Sequence, residues 1–207
     1  MPRVRTTDKT GDILDAALRR FLHYGLKKTS MKEIARDAGV AVGTLYLYFH
    51  DKDALVVGCA DRFAEAHHAS VQALLAEKRP ADQKLRRYVT ERQREWREVG
   101  VSAPHAAELA EAVLRVRPER TLDYAREFEA TTRALLREGS AQGIFRHADP
   151  ERDAPLFVLA LSGFFPIAGR EHPALPDPSG LGNVVDWFMN LWKKGRPERR
   201  LPRKERP

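Results

Sequence analysis

Residues 30–55 of the chain have the sequence SMKEIARDAGVAVGTLYLYFHDKDAL. Ser30 and Glu33 form the S-x-x-E pattern of a capping box, which opens a helix by satisfying backbone donors that lack partners. Gly39 suits the end of this helix after about two turns. A second short segment with helical spacing follows, and Asp51 has the residue type that caps the start of a further helix. Two short helices joined by a glycine-containing turn are typical of a helix-turn-helix.

An amphipathic helix is predicted before this stretch. From Asp12 onward, apolar residues recur at helical spacing until Gly25, which favours a helix end because glycine adopts the left-handed conformation freely. A longer helix that braces two short ones fits a helix-turn-helix, but any three-helix segment of an all-α protein has the same spacing. The apolar positions are Ile13, Leu14, Ala17, Leu18, Phe21 and Leu22.

The rest of the chain also shows helical periodicity and no convincing strand pattern, so we predict an all-α protein of about nine helices. Three regions are expected. They are a helix-turn-helix domain over 8–55 with its motif at about 30–49, a larger helical ligand-binding and dimerisation domain over 56–193, and a basic disordered tail over 194–207. The helices predicted after the motif span about 52–77, 82–99, 104–116, 118–138, 150–168 and 180–193.

Composition limits the class of protein. The chain has 207 residues, with 36 Lys and Arg against 29 Asp and Glu and a formal net charge of +7. The net charge is +3 over residues 1–55, −2 over 56–192 and +6 over 193–207, so the excess of basic residues lies at the two ends. With 43% apolar residues the chain can form a sizeable core. A polyanionic partner is expected, but the net charge does not identify it.

Other classes of protein are disfavoured by what the sequence lacks. The single cysteine, Cys59, excludes an intrachain disulfide and fits a reducing cytoplasm. No signal peptide is evident, and the longest apolar run, about 15 residues, is shorter than the roughly 20 that span a membrane. The seven histidines form no H-E-x-x-H motif, and no G-x-S-x-G or phosphate-binding glycine loop occurs. We therefore predict a cytoplasmic protein that has no catalytic residues, metal, cofactor or membrane partner.

The segment from Ile13 to Val56 resembles the TetR family of bacterial transcriptional regulators. The resemblance implies an N-terminal three-helix domain that binds double-stranded operator DNA, followed by a helical domain that dimerises and usually binds a small molecule. It implies repression that the ligand relieves, and it does not identify the ligand. The residues that match in a fixed register are Ile34-Ala35, Ala38-Gly39-Val40, Gly43-Thr44-Leu45-Tyr46, Tyr48-Phe49 and Lys52-Asp53-Ala54-Leu55.

The second helix of a helix-turn-helix enters the major groove, and its N-terminal residues meet the base edges. This chain departs from many relatives because Ala41 and Val42 stand there, which can contact a thymine methyl group but cannot hydrogen-bond a base. Thr44 either bonds DNA or bonds within its own helix. A rival hypothesis is binding to DNA or a membrane surface without sequence preference, through the basic tail. The predicted DNA contacts are Thr29, Ser30, Lys32, Ala41, Val42, Gly43, Thr44, Tyr46, Tyr48 and Lys52.

Aromatic residues of the second region are candidates for the wall of an effector pocket, although aromatic stripes at helical spacing more often form core. Arg92 is unusual because it falls on an apolar stripe, where a cation is costly unless it is paired. It either extends to solvent, pairs with Glu127 or Glu129, or binds an anionic effector. We expect an apolar or aromatic small molecule. The candidate pocket residues are Phe63, Tyr88, Arg92, Trp96, Tyr124, Phe128 and Phe165.

The last two predicted helices carry more apolar surface than one core needs. Two copies would form a four-helix bundle across a two-fold axis. A homodimer of this kind would reach two successive major grooves about 34–36 Å apart. The candidate interface residues are Phe157, Leu161, Phe164, Val184, Val185, Phe188 and Trp192.

Overall fold

Helices form all of the regular structure in residues 8–100, 103–165 and 176–195, which are the residues described in a computed structural model. The predicted all-α class is confirmed, with nine α-helices in these ranges. Two 3-10 helices, Ser162–Phe164 and Pro178–Gly180, connect the last of them. The α-helices are α1 (Lys9–Tyr24), α2 (Met31–Asp37), α3 (Val42–Tyr48), α4 (Lys52–Leu75), α5 (Ala81–Gly100), α6 (Ala106–Val116), α7 (Glu119–Ala141), α8 (Pro150–Leu161) and α9 (Leu181–Lys194).

Local sequence signals set the end of α1 and the starts of α2 and α4, as predicted. α1 ends before Gly25, whose φ of +87° is strained for any residue with a side chain. At the start of α2, Ser30 Oγ accepts a hydrogen bond from Glu33 N at 3.3 Å, and Glu33 Oε2 accepts one from Ser30 N at 2.9 Å. Asp51 Oδ1 accepts a hydrogen bond from Ala54 N at 2.8 Å and thereby caps α4.

Two apolar clusters form the interior, and α4 runs through both of them. Its N-terminal part, including Cys59, packs in a cluster with α1, α2 and α3. Its C-terminal part, including Leu74, packs with α5, α7, α8 and α9. Leu109 and Ala112 of α6 belong to the first cluster, so α6 packs against the N-terminal helices. The predicted boundary at residue 55 therefore lies inside one continuous helix.

α8 is shorter than predicted. It begins at Pro150 and ends at Leu161 instead of continuing to about residue 168. Proline disfavours helical backbone at the residue before it, and Phe165, which precedes Pro166, has a ψ of 62°. Residues 166–168 lie outside the described ranges.

Most of the predicted dimer residues are buried inside a single chain. Because buried side chains have no surface to offer a partner, their assignment to an interface is wrong. Apolar residues surround most of the second half of α8 and cover a broad side of α9, so spacing alone did not show which of them face the protein's own core. The buried residues are Phe157, Leu161, Phe164, Val185 and Trp192, whereas Val184 and Phe188 are half-buried. The outward apolar side chains are Leu156, Leu159 and Trp187, of which Trp187 is 63% exposed.

The predicted basic tail begins within α9, which extends to Lys194. Residues 196–207, which carry most of the tail, lie outside the described ranges. Among the described helices, none is both long and apolar enough to cross a bilayer.

Candidate DNA-binding surface and ligand cavity

α3 presents most of its surface to solvent. Leu45 is its only buried residue and anchors it in the N-terminal cluster. Leu47 is 86% exposed, and Tyr46 and Tyr48 are about half exposed. Large apolar and aromatic side chains grouped on one surface commonly mark an interaction site. A short helix that is anchored on one side and exposed on the others has the geometry of a recognition helix.

The residues predicted to meet base edges lie together at the start of α3. Ala41 precedes the helix and Val42 begins it, and both are exposed. A Cβ atom built on Gly43 would meet no other atom within 4 Å, so open space lies beside this backbone. Thr44 is half-buried on the same helix. The structure therefore brings these four positions to one accessible surface with Tyr46.

Thr29 does not lie on this surface, contrary to the prediction. Its side chain is buried, with the residue 2% exposed, and its hydroxyl donates a hydrogen bond to Gly25 O at 2.7 Å. This bond fixes the turn between α1 and α2, and it uses the hydroxyl proton that a phosphate would need. Ser30 and Lys32 are exposed, although Ser30 Oγ also donates to the Glu33 carboxylate at 2.8 Å.

Lys52 also differs from its predicted role as a phosphate contact. Its ammonium group donates hydrogen bonds to Leu26 O at 2.8 Å and to Thr29 O at 3.1 Å. Both carbonyl groups belong to the turn between α1 and α2, so Lys52 ties the start of α4 to that turn. Two of its three N–H donors are thus engaged within the protein.

Arg20 joins α1 to α2 within the helix-turn-helix region, a role that the sequence did not predict. It is buried on α1, and its guanidinium contacts Glu33 at 2.8 Å and Asp37 at 2.7 Å, both on α2. The hydrogen bond from Arg20 holds the pKa of the Asp37 carboxyl below its ordinary value. Helical spacing along α1 gives no sign of this contact, because the partners lie on another helix.

A cavity of about 380 Å³ lies among the helices that follow α3 in the chain. Its volume is within the range of about 300–1,000 Å³ that is typical of small-molecule sites. α4, α5, α6 and α7 provide most of its wall, and the remainder comes from Leu18 of α1, Val158 of α8, Ser162 and Phe165. Six of the seven predicted pocket residues line it, namely Phe63, Arg92, Trp96, Tyr124, Phe128 and Phe165.

Tyr88 is the exception among the predicted pocket residues. It is buried, and its ring packs edge-on against Phe128 with the centroids 5.5 Å apart. It therefore supports the wall from behind instead of lining the cavity. Cys59 lines the cavity without having been predicted there. Burial raises the pKa of its thiol to about 12, so it stays protonated at neutral pH and acts as a small apolar side chain.

α6 lies between the cavity and the N-terminal helices. Leu109 borders the cavity and also packs in the N-terminal cluster. Glu108 Oε1 accepts a hydrogen bond from Lys27 N at 2.9 Å, in the turn before α2. Arg115 donates to both carboxylate oxygens of Asp53 on α4, at 2.7 and 2.8 Å, and this holds the pKa of Asp53 below its ordinary value. A displacement of α6 would therefore reach both α2 and α4.

The exposed α3, its capped partner α2 and the bracing helix α1 define a helix-turn-helix DNA-binding domain. Residues 13–59 match the model of the family described as bacterial regulatory proteins, tetR family. The match to this family covers the N-terminal domain and not the rest of the chain.

One of the relatives found by sequence comparison matches over only part of the chain. The uncharacterized HTH-type transcriptional regulator YvdT of Bacillus subtilis (strain 168) is 43% identical over 61 residues. The match covers 30% of this chain and 31% of the relative, so it supports the N-terminal domain and leaves the rest of both proteins unmatched.

Two solved structures share the fold over nearly the whole chain. A transcriptional regulator from Cytophaga hutchinsonii is 22% identical with a TM-score of 0.71, over 89% of this chain and 98% of that one. The structure of a SmeT–triclosan complex is 21% identical with a TM-score of 0.62, over 88% of this chain and 90% of that one. At these identities the likeness establishes the fold alone. The family and the relative matched by sequence are both described as regulators.

Proposed function

We propose that the chain is a sequence-specific transcriptional regulator. In this proposal it acts as a dimeric repressor that leaves its operator when a small apolar or aromatic effector binds. The observation that carries the proposal is the surface of α3, where only Leu45 is buried and where Val42, Tyr46 and Tyr48 face outward. This arrangement leaves the helix free to enter a major groove of double-stranded DNA.

The contacts within this proposal divide by chemistry. Ala41 and Val42 would pack against thymine methyl groups, and the open space at Gly43 would admit the DNA close to the backbone. Thr44 and the tyrosines Tyr46 and Tyr48 would donate hydrogen bonds to bases or phosphates. Ser30 and Lys32 would contact phosphates, which position the domain without sequence preference. Thr29 and Lys52 would make no phosphate contact, because their polar groups bond within the protein.

A homodimer would place two copies of α3 in successive major grooves. The side of α8 and α9 that faces away from the core supports this proposal, because Leu156, Leu159 and Trp187 are exposed there. Half-buried Val184 and Phe188 lie next to them on α9. Two copies of this apolar side would pack as a four-helix bundle, and its two-fold symmetry would match a palindromic operator.

The cavity supports the effector part of the proposal. Its wall is mostly apolar and aromatic, and a fold neighbour holds triclosan, a small aromatic molecule, in the SmeT–triclosan complex. α6 offers a physical connection from ligand to DNA, because it borders the cavity and contacts the turn before α2 through Glu108. A ligand that favours a different position of α6 would lower the affinity for DNA. Bound DNA would lower the affinity for that ligand by the same factor.

Selection from a random DNA library, followed by fluorescence anisotropy, tests the proposal. We expect the full chain to prefer an inverted-repeat sequence over random DNA by about 10³-fold or more at physiological salt. Removal of residues 196–207 is the matched control, since the rival hypothesis assigns binding to the basic tail. A full chain without sequence preference, whose DNA affinity disappears with the tail, would contradict the proposal.

Two lysines should respond differently to substitution. Lys32→Met is expected to weaken binding to all sequences and to reduce the slope of log K against log salt concentration by about 1, because an exposed phosphate contact is lost. Lys52→Met should leave this slope unchanged and lower the melting temperature, since Lys52 bonds to carbonyl groups within the protein. Anisotropy over a salt series and thermal unfolding measure both effects. An equal decrease of the slope in both variants would restore Lys52 as a phosphate contact.

A further inference from the structure

One cation of the cavity wall has no ion pair with the described residues. Arg92 of α5 is 9% exposed, and its guanidinium carbon lies 4.7 Å from the centroid of the Phe128 ring. Nη2 donates a hydrogen bond to Tyr124 O at 3.0 Å, and Nη1 lies 2.7 Å from His67 Nε2. A guanidinium has five N–H donors, so these contacts leave donors available. A buried charge is costly when no opposite charge faces it.

The two acidic partners that the sequence suggested for Arg92 are engaged elsewhere. Glu127 contacts His68 Nδ1 at 2.9 Å. Glu129 is paired with Arg133, one helical turn further along α7. Neither carboxylate pairs with Arg92, and its side chain is buried instead of extending to solvent. Of the three alternatives that the sequence left for Arg92, only an anionic ligand stays open.

Arg120, the second arginine of the cavity wall, differs from Arg92 in its surroundings. It is paired with Asp61 of α4, and Arg117 contacts the same carboxylate at 3.0 Å. The hydrogen bond to Asp61 raises the pKa of Arg120. Because Arg120 contacts a carboxylate directly and Arg92 does not, Arg120 has less need of a further anion than Arg92.

His67 fixes the position of Arg92. An arginine N–H can only donate a hydrogen bond, so His67 Nε2 accepts from Arg92 and the imidazole proton lies on Nδ1. Nδ1 then donates to Glu95 Oε2 at 3.0 Å. This tautomer follows from the hydrogen-bond pattern. The Glu95 carboxylate therefore orients the guanidinium through the ring of His67 without contacting it.

We propose that the cavity selects an amphipathic anion, namely an aromatic carboxylate whose carboxylate oxygens accept hydrogen bonds from Arg92. The aromatic body would pack against Phe63, Trp96 and Phe165 of the same wall. A planar guanidinium matches a carboxylate in geometry and charge, and an apolar surrounding strengthens the contact. The assignment rests on the proposed role of the cavity as an effector site, and it narrows the effector from an apolar molecule to an apolar acid.

Isothermal titration of the full chain with two probes tests this selection. 2-Naphthoate carries the carboxylate, and 2-naphthamide has nearly the same shape without the charge. A hydrogen bond to a charged group contributes about 1.5–3 kcal/mol, so we expect naphthoate to bind roughly 10-fold to 100-fold more tightly than the amide. Equal affinities, or tighter binding of the amide, would overturn the proposal, and this comparison needs no variant.

Arginine variants locate the anion. Arg92→Met should remove the preference for naphthoate, and Arg92→Lys should retain part of it because the charge remains. Arg120→Met is the matched control, since it removes the other arginine of the wall and should leave the preference intact. A preference that survives Arg92→Met, or that is lost only in Arg120→Met, assigns the anion elsewhere and overturns the proposal. Circular dichroism shows whether each variant is folded. If Arg92→Met does not fold, the preference for naphthoate is measured in Arg92→Lys instead, where we expect it to be reduced, and an undiminished preference overturns the proposal.

Operator binding separates this inference from the proposed function. If naphthamide releases the operator while naphthoate has no advantage in affinity, the effector role stands and the selection of an anion fails. If naphthoate binds through Arg92 but leaves operator affinity unchanged, the anion site stands and the effector role fails. Fluorescence anisotropy with labelled operator DNA distinguishes these two results.

Discussion

Leu45→Ala is expected to lower the free energy of unfolding by about 2–5 kcal/mol and to reduce operator affinity at least tenfold. Leu45 has no exposed surface and is the only buried residue of α3. Its truncation leaves a cavity at the one contact that anchors this seven-residue helix, which is too short to be stable by itself. Urea unfolding followed by circular dichroism gives the first quantity, and fluorescence anisotropy with operator DNA gives the second.

Leu47→Ala is the matched control, because the same side chain is removed two residues away on the same helix. Leu47 projects into solvent, so we expect stability to change by no more than about 0.5 kcal/mol. Any loss of operator affinity in this variant would then reflect lost DNA contact. Equal destabilisation by the two substitutions would show that α3 is oriented differently from the structure described above.

Trp192→Ala should be still more damaging to the fold, with a loss of about 3–5 kcal/mol in the free energy of unfolding. Trp192 has no exposed surface, and its ring contacts those of Phe145, Phe157 and Phe188 at centroid distances of 5.3–5.6 Å. Removal of this indole opens the centre of the second apolar cluster, where α8 and α9 meet. Thermal and urea unfolding of the purified variant measure the loss.

Trp187→Ala provides the comparison on the same helix. Trp187 faces solvent in the single chain, so its loss should leave the stability of the protomer nearly unchanged. If it lies in the dimer interface, truncation of such an aromatic residue should cost about 2 kcal/mol or more in association. Sedimentation at micromolar concentration would show the resulting monomers. An unchanged dimer would move the interface away from this side of α8 and α9.

The N-terminal unit was predictable to within a few residues because its signals are local. A capping box joins residues three apart, and Gly25 ends α1 through its own backbone conformation. The cavity was also largely predicted, since six aromatic or charged residues on inward stripes do line it. Helical spacing shows which residues turn inward. It does not show whether they meet a neighbour or an open space, which is why Tyr88 was assigned to the wall when it packs behind it.

Sequence alone determined the all-α class, the three N-terminal helices with the capping box of α2, and the resemblance that predicts DNA contact by α3. These features depend on residues close together along the chain, where spacing and residue type are sufficient evidence. Only the tertiary structure decided that Lys52 and Thr29 bond within the protein, and that the outward side of α8 and α9 carries Leu159 and Trp187. It also decided that Arg92 borders a cavity without an ion pair to any residue that the structure describes. Each of these depends on groups far apart in sequence, and their contacts are set by how the helices pack and not by the pattern within any one helix.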